Sequence, residues 1–334
     1  MENEAALTAG RITHNGGRID VHAHYLPARY REAAIAAGHA HPDGMPFLPG
    51  WSVAEALDVM DSVDVQTQML SISSPGVHFG SAEAARDLAR MVNEEGAQAV
   101  RDYPGRFGLF ASLPLPDLDG ALLELEHAFD VLHADGIVLK SNFDGMYPGD
   151  ARLDPLFAEL NRRRAIVFLH PTSPACPCCH GASLGYPRPT LEFIFETTRA
   201  VVQLLLNGVI SRYPEVRFIV PHAGAALPLV VDRVVGSMPV LDLPRRPSPE
   251  EVFADLRTLY FDLAGFPVPR GIPALLEIAD SARLLYGSDW PFTPTARMAM
   301  LTDALDRTPA LAGEMRAAVM RGNALKLFPR LLES

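Results

Sequence analysis

A chain of 334 residues, 48% hydrophobic and 21% charged, has the make-up of a folded globular protein and excludes a disordered or coiled-coil chain. The formal charge of −11, with no Lys/Arg-rich run, argues against a nucleic-acid partner or an anionic membrane surface. An anionic substrate would have to meet a local cation.

Residues 1–17 lack apolar periodicity and end in the turn signal Asn15-Gly16-Gly17, so a tail is expected before a single domain over 18–334. The acidic start has no basic segment followed by an apolar run, which points to the cytoplasm. Eight β-like runs follow, over 19–24, 67–73, 107–113, 136–140, 165–170, 216–222, 258–263 and 283–287. Amphipathic segments over 53–60, 82–101, 118–132, 155–163, 190–210 and 272–278 alternate with them as predicted helices. The greasiest part, 200–210, is broken by Gln203 and Asn207 and is too short to span a membrane. Eight βα repeats favour a closed (β/α)8 barrel over an open doubly wound sheet, whose Gly-rich phosphate fingerprint is missing. Segments 38–50, 171–189 and 242–249 are long enough to be loops over a site.

Polar groups gather where the runs end: His22-Ala23-His24, His170-Pro171, His222-Ala223-Gly224 and Gly287-Ser288-Asp289-Trp290. In a parallel barrel those ends meet on one face. His22 and His24, two apart on a strand, point the same way. With His170 and Asp289 they offer three imidazoles and a carboxylate, a set that suits one divalent ion, Zn²⁺ first and Mn²⁺ as the alternative. His222 is set apart as general base or proton shuttle, with a fifth metal contact as its other reading. His14, His39, His41, His127, His133 and His180 are expected on surface or loops, and His78 to line a pocket with Phe79, Phe143, Trp290 and Phe292. Cys176, Cys178 and Cys179 are expected as free thiols in a loop, since with His180 they are too crowded to surround a second ion.

The runs Ile19-Asp20-Val21-His22-Ala23-His24, Phe168-Leu169-His170-Pro171, Val220-Pro221-His222-Ala223-Gly224 and Leu285-Tyr286-Gly287-Ser288-Asp289-Trp290-Pro291-Phe292 resemble the amidohydrolase superfamily, in its aminocarboxymuconate semialdehyde decarboxylase-like branch. The segment 192–231, with Glu196-Thr197-Thr198-Arg199 and Arg212-Tyr213-Pro214, is most similar to the 6-methylsalicylate decarboxylases. The resemblance implies a distorted TIM barrel, one divalent ion on residues matching His22, His24, His170 and Asp289, and a base matching His222. It implies also a homodimer in which Arg233 reaches a neighbouring subunit's substrate. Muconate-type members carry a further arginine after the first strand; between Tyr30 and Trp51 only Arg31 occurs, which favours a monocarboxylate. Ala225 stands where relatives often have glycine, with local packing as the expected consequence.

The expected activity is metal-dependent, non-oxidative decarboxylation of a small aromatic, hydroxybenzoate-type acid such as 6-methylsalicylate. Asp289, protonated in the working state, would protonate the ring carbon while His222 manages the proton balance; attack by an activated water is the other version. Lys140, at the end of the fourth run, would attract the substrate carboxylate, form a buried ion pair or lie along the rim. Carbamylated, it would instead point to a binuclear hydrolase of a lactone or amide. A noncatalytic metal-binding scaffold is the remaining alternative.

Overall fold

The computed structural model describes residues 16–176, 185–243 and 247–332. His14 with the rest of the predicted tail up to residue 15, and Cys178, Cys179 and His180, lie outside them. Strands β1 (Arg18–His24), β2 (Val65–Ser71), β3 (Phe107–Ser112), β4 (Gly136–Lys140), β5 (Ile166–His170), β6 (Arg217–Val220), β7 (Tyr260–Asp262) and β8 (Leu284–Leu285) form one parallel sheet in sequence order. The N–H groups of Val21 and His24 donate to the carbonyls of Tyr286 and Trp290 at 3.0 and 2.8 Å, joining the last strand's run to the first. The sheet is a closed (β/α)8 barrel.

The connecting helices are α1 (Ala28–Ala36), α2 (Val53–Ser62), α3 (Ala82–Asp102), α4 (Leu118–Asp130), α5 (Asp154–Arg162), α6 (Glu192–Leu206), α7 (Val209–Arg212), α8 (Leu227–Ser237), α9 (Pro249–Thr258), α10 (Gly271–Leu276) and α11 (Thr295–Arg307). Side chains that accept from early backbone N–H groups fix several starts: Ser52 for α2, Ser81 for α3, Asp117 for α4 and a Ser248–Glu251 capping box for α9. The helix predicted over 190–210 is two pieces, because Gly208 takes a left-handed φ of 66° between α6 and α7. Four of these connecting helices, α1, α8, α9 and α11, were not anticipated, nor were the short C-terminal helices Glu314–Ala317 and Asn323–Leu327. No helix among the described residues is long and apolar enough to cross a membrane.

The barrel interior is layered. Ile19, Val21, Met69, Phe110, Val138, Ile166, Phe168, Ile219 and Leu285 fill the lower part, closed off by Leu327, Phe328 and Leu331 of the C-terminal segment. One step of strand parity above them lie polar residues: Ser71, Ser112, Lys140, His170 and Asp262. In β1 the parity changes. Asp20 pairs with Gln68 but Ala23 with Leu70, so β1 carries one extra residue, a β-bulge. The bulge lets Ile19 and Val21 face the floor while His22 and His24, of opposite parity, join the polar layer. Cys176 is disulfide-bonded, contrary to the expectation of three free thiols.

Candidate metal centre and catalytic cavity

His22, His24, His170 and Asp289 offer one ligand atom each, all within 4.8 Å of one another. Each imidazole is anchored through Nδ1. That of His22 donates to Asp262 Oδ2 at 2.9 Å, and that of His170 to the carbonyl of Pro171 at 2.7 Å. That of His24 donates to Ser71 Oγ at 2.9 Å, while the Ser71 hydroxyl itself donates to Ala23. These bonds fix the tautomer, leaving each Nε2 lone pair free for a cation. Nε2 of His22 is buried with no hydrogen-bond partner, 3.3 Å from Asp289 Oδ1, and Nε2 of His24 is 3.1 Å from the same oxygen. An orphaned buried nitrogen beside a shared carboxylate oxygen fits a metal ion, and the donor set fits Zn²⁺ or a similar divalent cation.

Two frameworks hold this cluster. Asp20, fully buried and pushed up to about 7 by burial, accepts from the backbone of His22 and from both the N–H and hydroxyl of Ser288. It thereby ties β1 to the segment carrying Asp289. At Gly287 a Cβ would come within 2.9 Å of His22 Cβ and 3.2 Å of Asp262 Cβ, so only glycine lets the last strand pass this close.

Burial opposes charge on His22, but Asp262 and Asp289 outweigh it and hold its imidazole up at about 10. Burial lowers His24 to about 4 and puts His170 well below the usual histidine range. Burial also raises Asp289, yet the charge of His22 holds it well below the usual carboxylate range. Its carboxyl is therefore ionised in this arrangement, so the protonated Asp289 of the expected mechanism needs a proton delivered during the reaction.

His222 follows β6 at a left-handed φ of 56°, and Ala223 and Ala225 continue the run at 53° and 56°. In an extended strand His222 would share the helix-facing side with Phe218 and Val220; the turn redirects it into the cavity. Three non-glycine residues in this region store strain, as functional turns often do. Ala225, with ψ −122°, sits where a Cβ is least tolerated, more than the local packing change expected for it. The backbone N–H of His222 donates to Asp262 Oδ1 at 3.1 Å, and its Nε2 lies 3.7 Å from Asp289 Oδ2. Asp262 thus positions both His22 and His222. Burial raises its carboxyl, but the charge and hydrogen bond of His22 lower it below its ordinary value.

A cavity of about 810 Å³ opens above the cluster, lined among others by His170, His222, Asp289, Phe193 and Phe292, with Arg270 and Arg297. Phe292 meets the His24 ring at a centroid distance of 5.5 Å. Other expected pocket residues lie elsewhere. Trp290 is core, 1% exposed, its indole N–H donating to Thr295. Phe79 packs against Tyr30 and His39 outside the cavity lining. Lys140, His78 and Phe143 line a separate, smaller cavity. Lys140 is not in the ligand cluster, and its amine donates to the carbonyl of Ile72. Arg31 donates to the carbonyl of Leu48 at 3.3 Å, and Arg233 is exposed on α8 outside its own chain's cavity lining. Sequence reasoning missed Asp262, Ser71, Arg270 and Arg297. Strand-end parity signals the first two, and position in the segment after β7 and in the first turn of the helix after β8 signals the arginines.

The Amidohydrolase family model matches residues 19–330. The chain belongs to the amidohydrolase family. Among the relatives of this amidohydrolase, the 6-methylsalicylic acid decarboxylase of Penicillium expansum is 36% identical over 319 residues, 94% of this chain and 97% of the relative. A crystal structure of an amidohydrolase II superposes with a TM-score of 0.87 at 35% identity, covering 93% of this chain and 99% of the other. The dihydroxybenzoic acid decarboxylase of Polaromonas sp. JS666, crystallised with manganese and the inhibitor 2-nitroresorcinol, shares the fold with a TM-score of 0.79 at 23% identity, over 94% and 97% of the two chains.

Proposed function

We propose that this amidohydrolase is a metal-dependent, non-oxidative decarboxylase of a small ortho-hydroxy aromatic acid of the 6-methylsalicylate type. The observation that carries the reading is the pairing of a three-imidazole, one-carboxylate cluster with His222 Nε2 only 3.7 Å from Asp289, at the base of an aromatic-walled cavity. The likeness to a 6-methylsalicylic acid decarboxylase supports the substrate class.

The reaction replaces the ring–carboxylate bond by a ring–hydrogen bond and releases CO2. The ring carbon takes a proton, then the electron pair of the breaking bond restores the aromatic ring. A divalent ion held by His22, His24, His170 and Asp289 would supply a fixed positive charge and Lewis acidity toward the substrate's carboxylate and adjacent hydroxyl oxygen. Zn²⁺ is the first choice from the donor set, with Mn²⁺ supported by the manganese in the Polaromonas enzyme. His222 passes a proton to Asp289, and Asp289 delivers it to the carboxylated carbon. Phe292 and Phe193 confine the ring, and Arg270 and Arg297 give the acidic protein a local attraction for an anion. Arg233, exposed on α8, serves the substrate only in a homodimer; light scattering decides that part.

A panel of hydroxybenzoates separates the readings. Incubated with metal-loaded protein, 6-methylsalicylate should release one CO2 per acid consumed, and benzoate lacking the ortho hydroxyl should react at least about a hundredfold more slowly if two-point orientation is needed. Ring-opened or hydrolysed product from a lactone or amide, without CO2, would replace this reading by the hydrolase one.

A further inference from the structure

Only two of the 29 basic residues are lysines, Lys140 and Lys326, and Lys140 is 7% exposed at the end of β4, beside His170 in the ladder. Its side chain faces a second cavity of about 210 Å³, also lined by His39, His78, Thr172 and Phe143. None of the four clustered ligands, nor His222, lines this space. Among the described residues no carboxylate pairs with Lys140. Asp43, whose charge is felt at Lys140, accepts instead from Ser173, and the one carboxylate in the lining, Asp144, is exposed.

An ammonium has three donors, and the structure shows one of them used, on Ile72. A buried amine in a half-apolar cavity with no counter-charge costs stability unless it is neutral or the cavity holds an anion. His39 and His78, both part-exposed, mark the solvent side and add two imidazoles.

We propose that this cavity is a binding site for a small carboxylate-type monoanion, with the Lys140 ammonium as its counter-charge. The chemistry has two sources: bicarbonate formed from released CO2, or the aromatic acid bound a second time. The site itself stands apart from the decarboxylase reading; only the first source depends on it.

The two lysines make a clean test. Cyanate adds to a neutral amine to give a urea, and peptide mass spectrometry reports the rate at Lys140 with Lys326 as internal control. In the metal-loaded full chain, formate should slow Lys140 labelling along a saturation curve, about tenfold at ten times the half-protecting concentration, and leave Lys326 unchanged. Protection by bicarbonate assigns the product as ligand; protection by benzoate but not bicarbonate assigns the aromatic acid. Labelling at Lys140 unchanged by all three anions overturns the proposal. So does a Lys140 that cyanate cannot reach in anion-free buffer, because a site open to formate is open to cyanate. Turnover is not the readout, so failure here leaves the decarboxylase reading standing.

Discussion

Asp262 is the residue on which the two halves of the site converge: one oxygen holds the His22 ring and the other holds the backbone of His222. Asp262→Asn keeps the shape but removes the charge behind His22, and should weaken metal affinity about 10–100-fold, measured by competition with a chromophoric chelator. Unchanged affinity would show that the second oxygen, on His222, is its only use. The histidines also predict a pH profile for protein stripped of metal. His22 is raised from 6.5 to about 10, so its contribution is complete below 6.5 and lost as pH rises toward 10. His24 is lowered from 6.5 to about 4, so stability falls as pH drops from 6.5 toward 4. The thermal midpoint of the stripped protein should therefore peak near neutrality; a midpoint rising steadily from pH 6.5 to 10 would contradict the His22 assignment. His22, His24, His170, His222 and Asp289 were legible in the sequence because they end β-like runs. Trp290 misled because an aromatic next to a ligand is equally suited to the core, where it packs.

At the scale of elements, α6 carries more of the site than its distance along the chain suggests. Buried Glu196 accepts from Asn142 and Tyr147 in the loop after β4, and Asn142 also donates to Ser173 after β5. Two residues on, Thr198 Oγ1 accepts from the N–H of Ala226 at 3.0 Å, closing the strained turn of His222. Thr198→Val leaves that buried N–H without a partner and should cost about 1–3 kcal/mol in urea unfolding, with kcat falling more than metal affinity. A loss of metal affinity equal to the loss of kcat would mean that Thr198 supports the whole barrel face rather than the His222 turn. The strands were legible from periodicity. The β1 bulge was not, since the spacing of His22 and His24 says that they point together but not to which side. The split between α6 and α7 came from Gly208 within a continuous apolar pattern, and α1 was hidden by a weak one.

For the whole molecule, eight βα repeats in 334 residues were enough to anticipate the barrel, because parallel strands in chain order close by one simple path. What no periodicity encodes is how the interior is divided: an apolar floor sealed by Leu327, Phe328 and Leu331, a polar layer above, and two cavities, the larger lined by His170 and the smaller by Lys140. The division places one cluster of nitrogens and oxygens at the base of the larger cavity, and the assigned chemistry requires a cation there. The direct measurement is CO2 release from 6-methylsalicylate by fully chelated protein, titrated with Zn²⁺ or Mn²⁺ while bound metal is counted per chain. Activity should be absent at the start, rise linearly and level off at one ion per chain. Turnover by the chelated protein at the rate of the loaded enzyme would contradict the account.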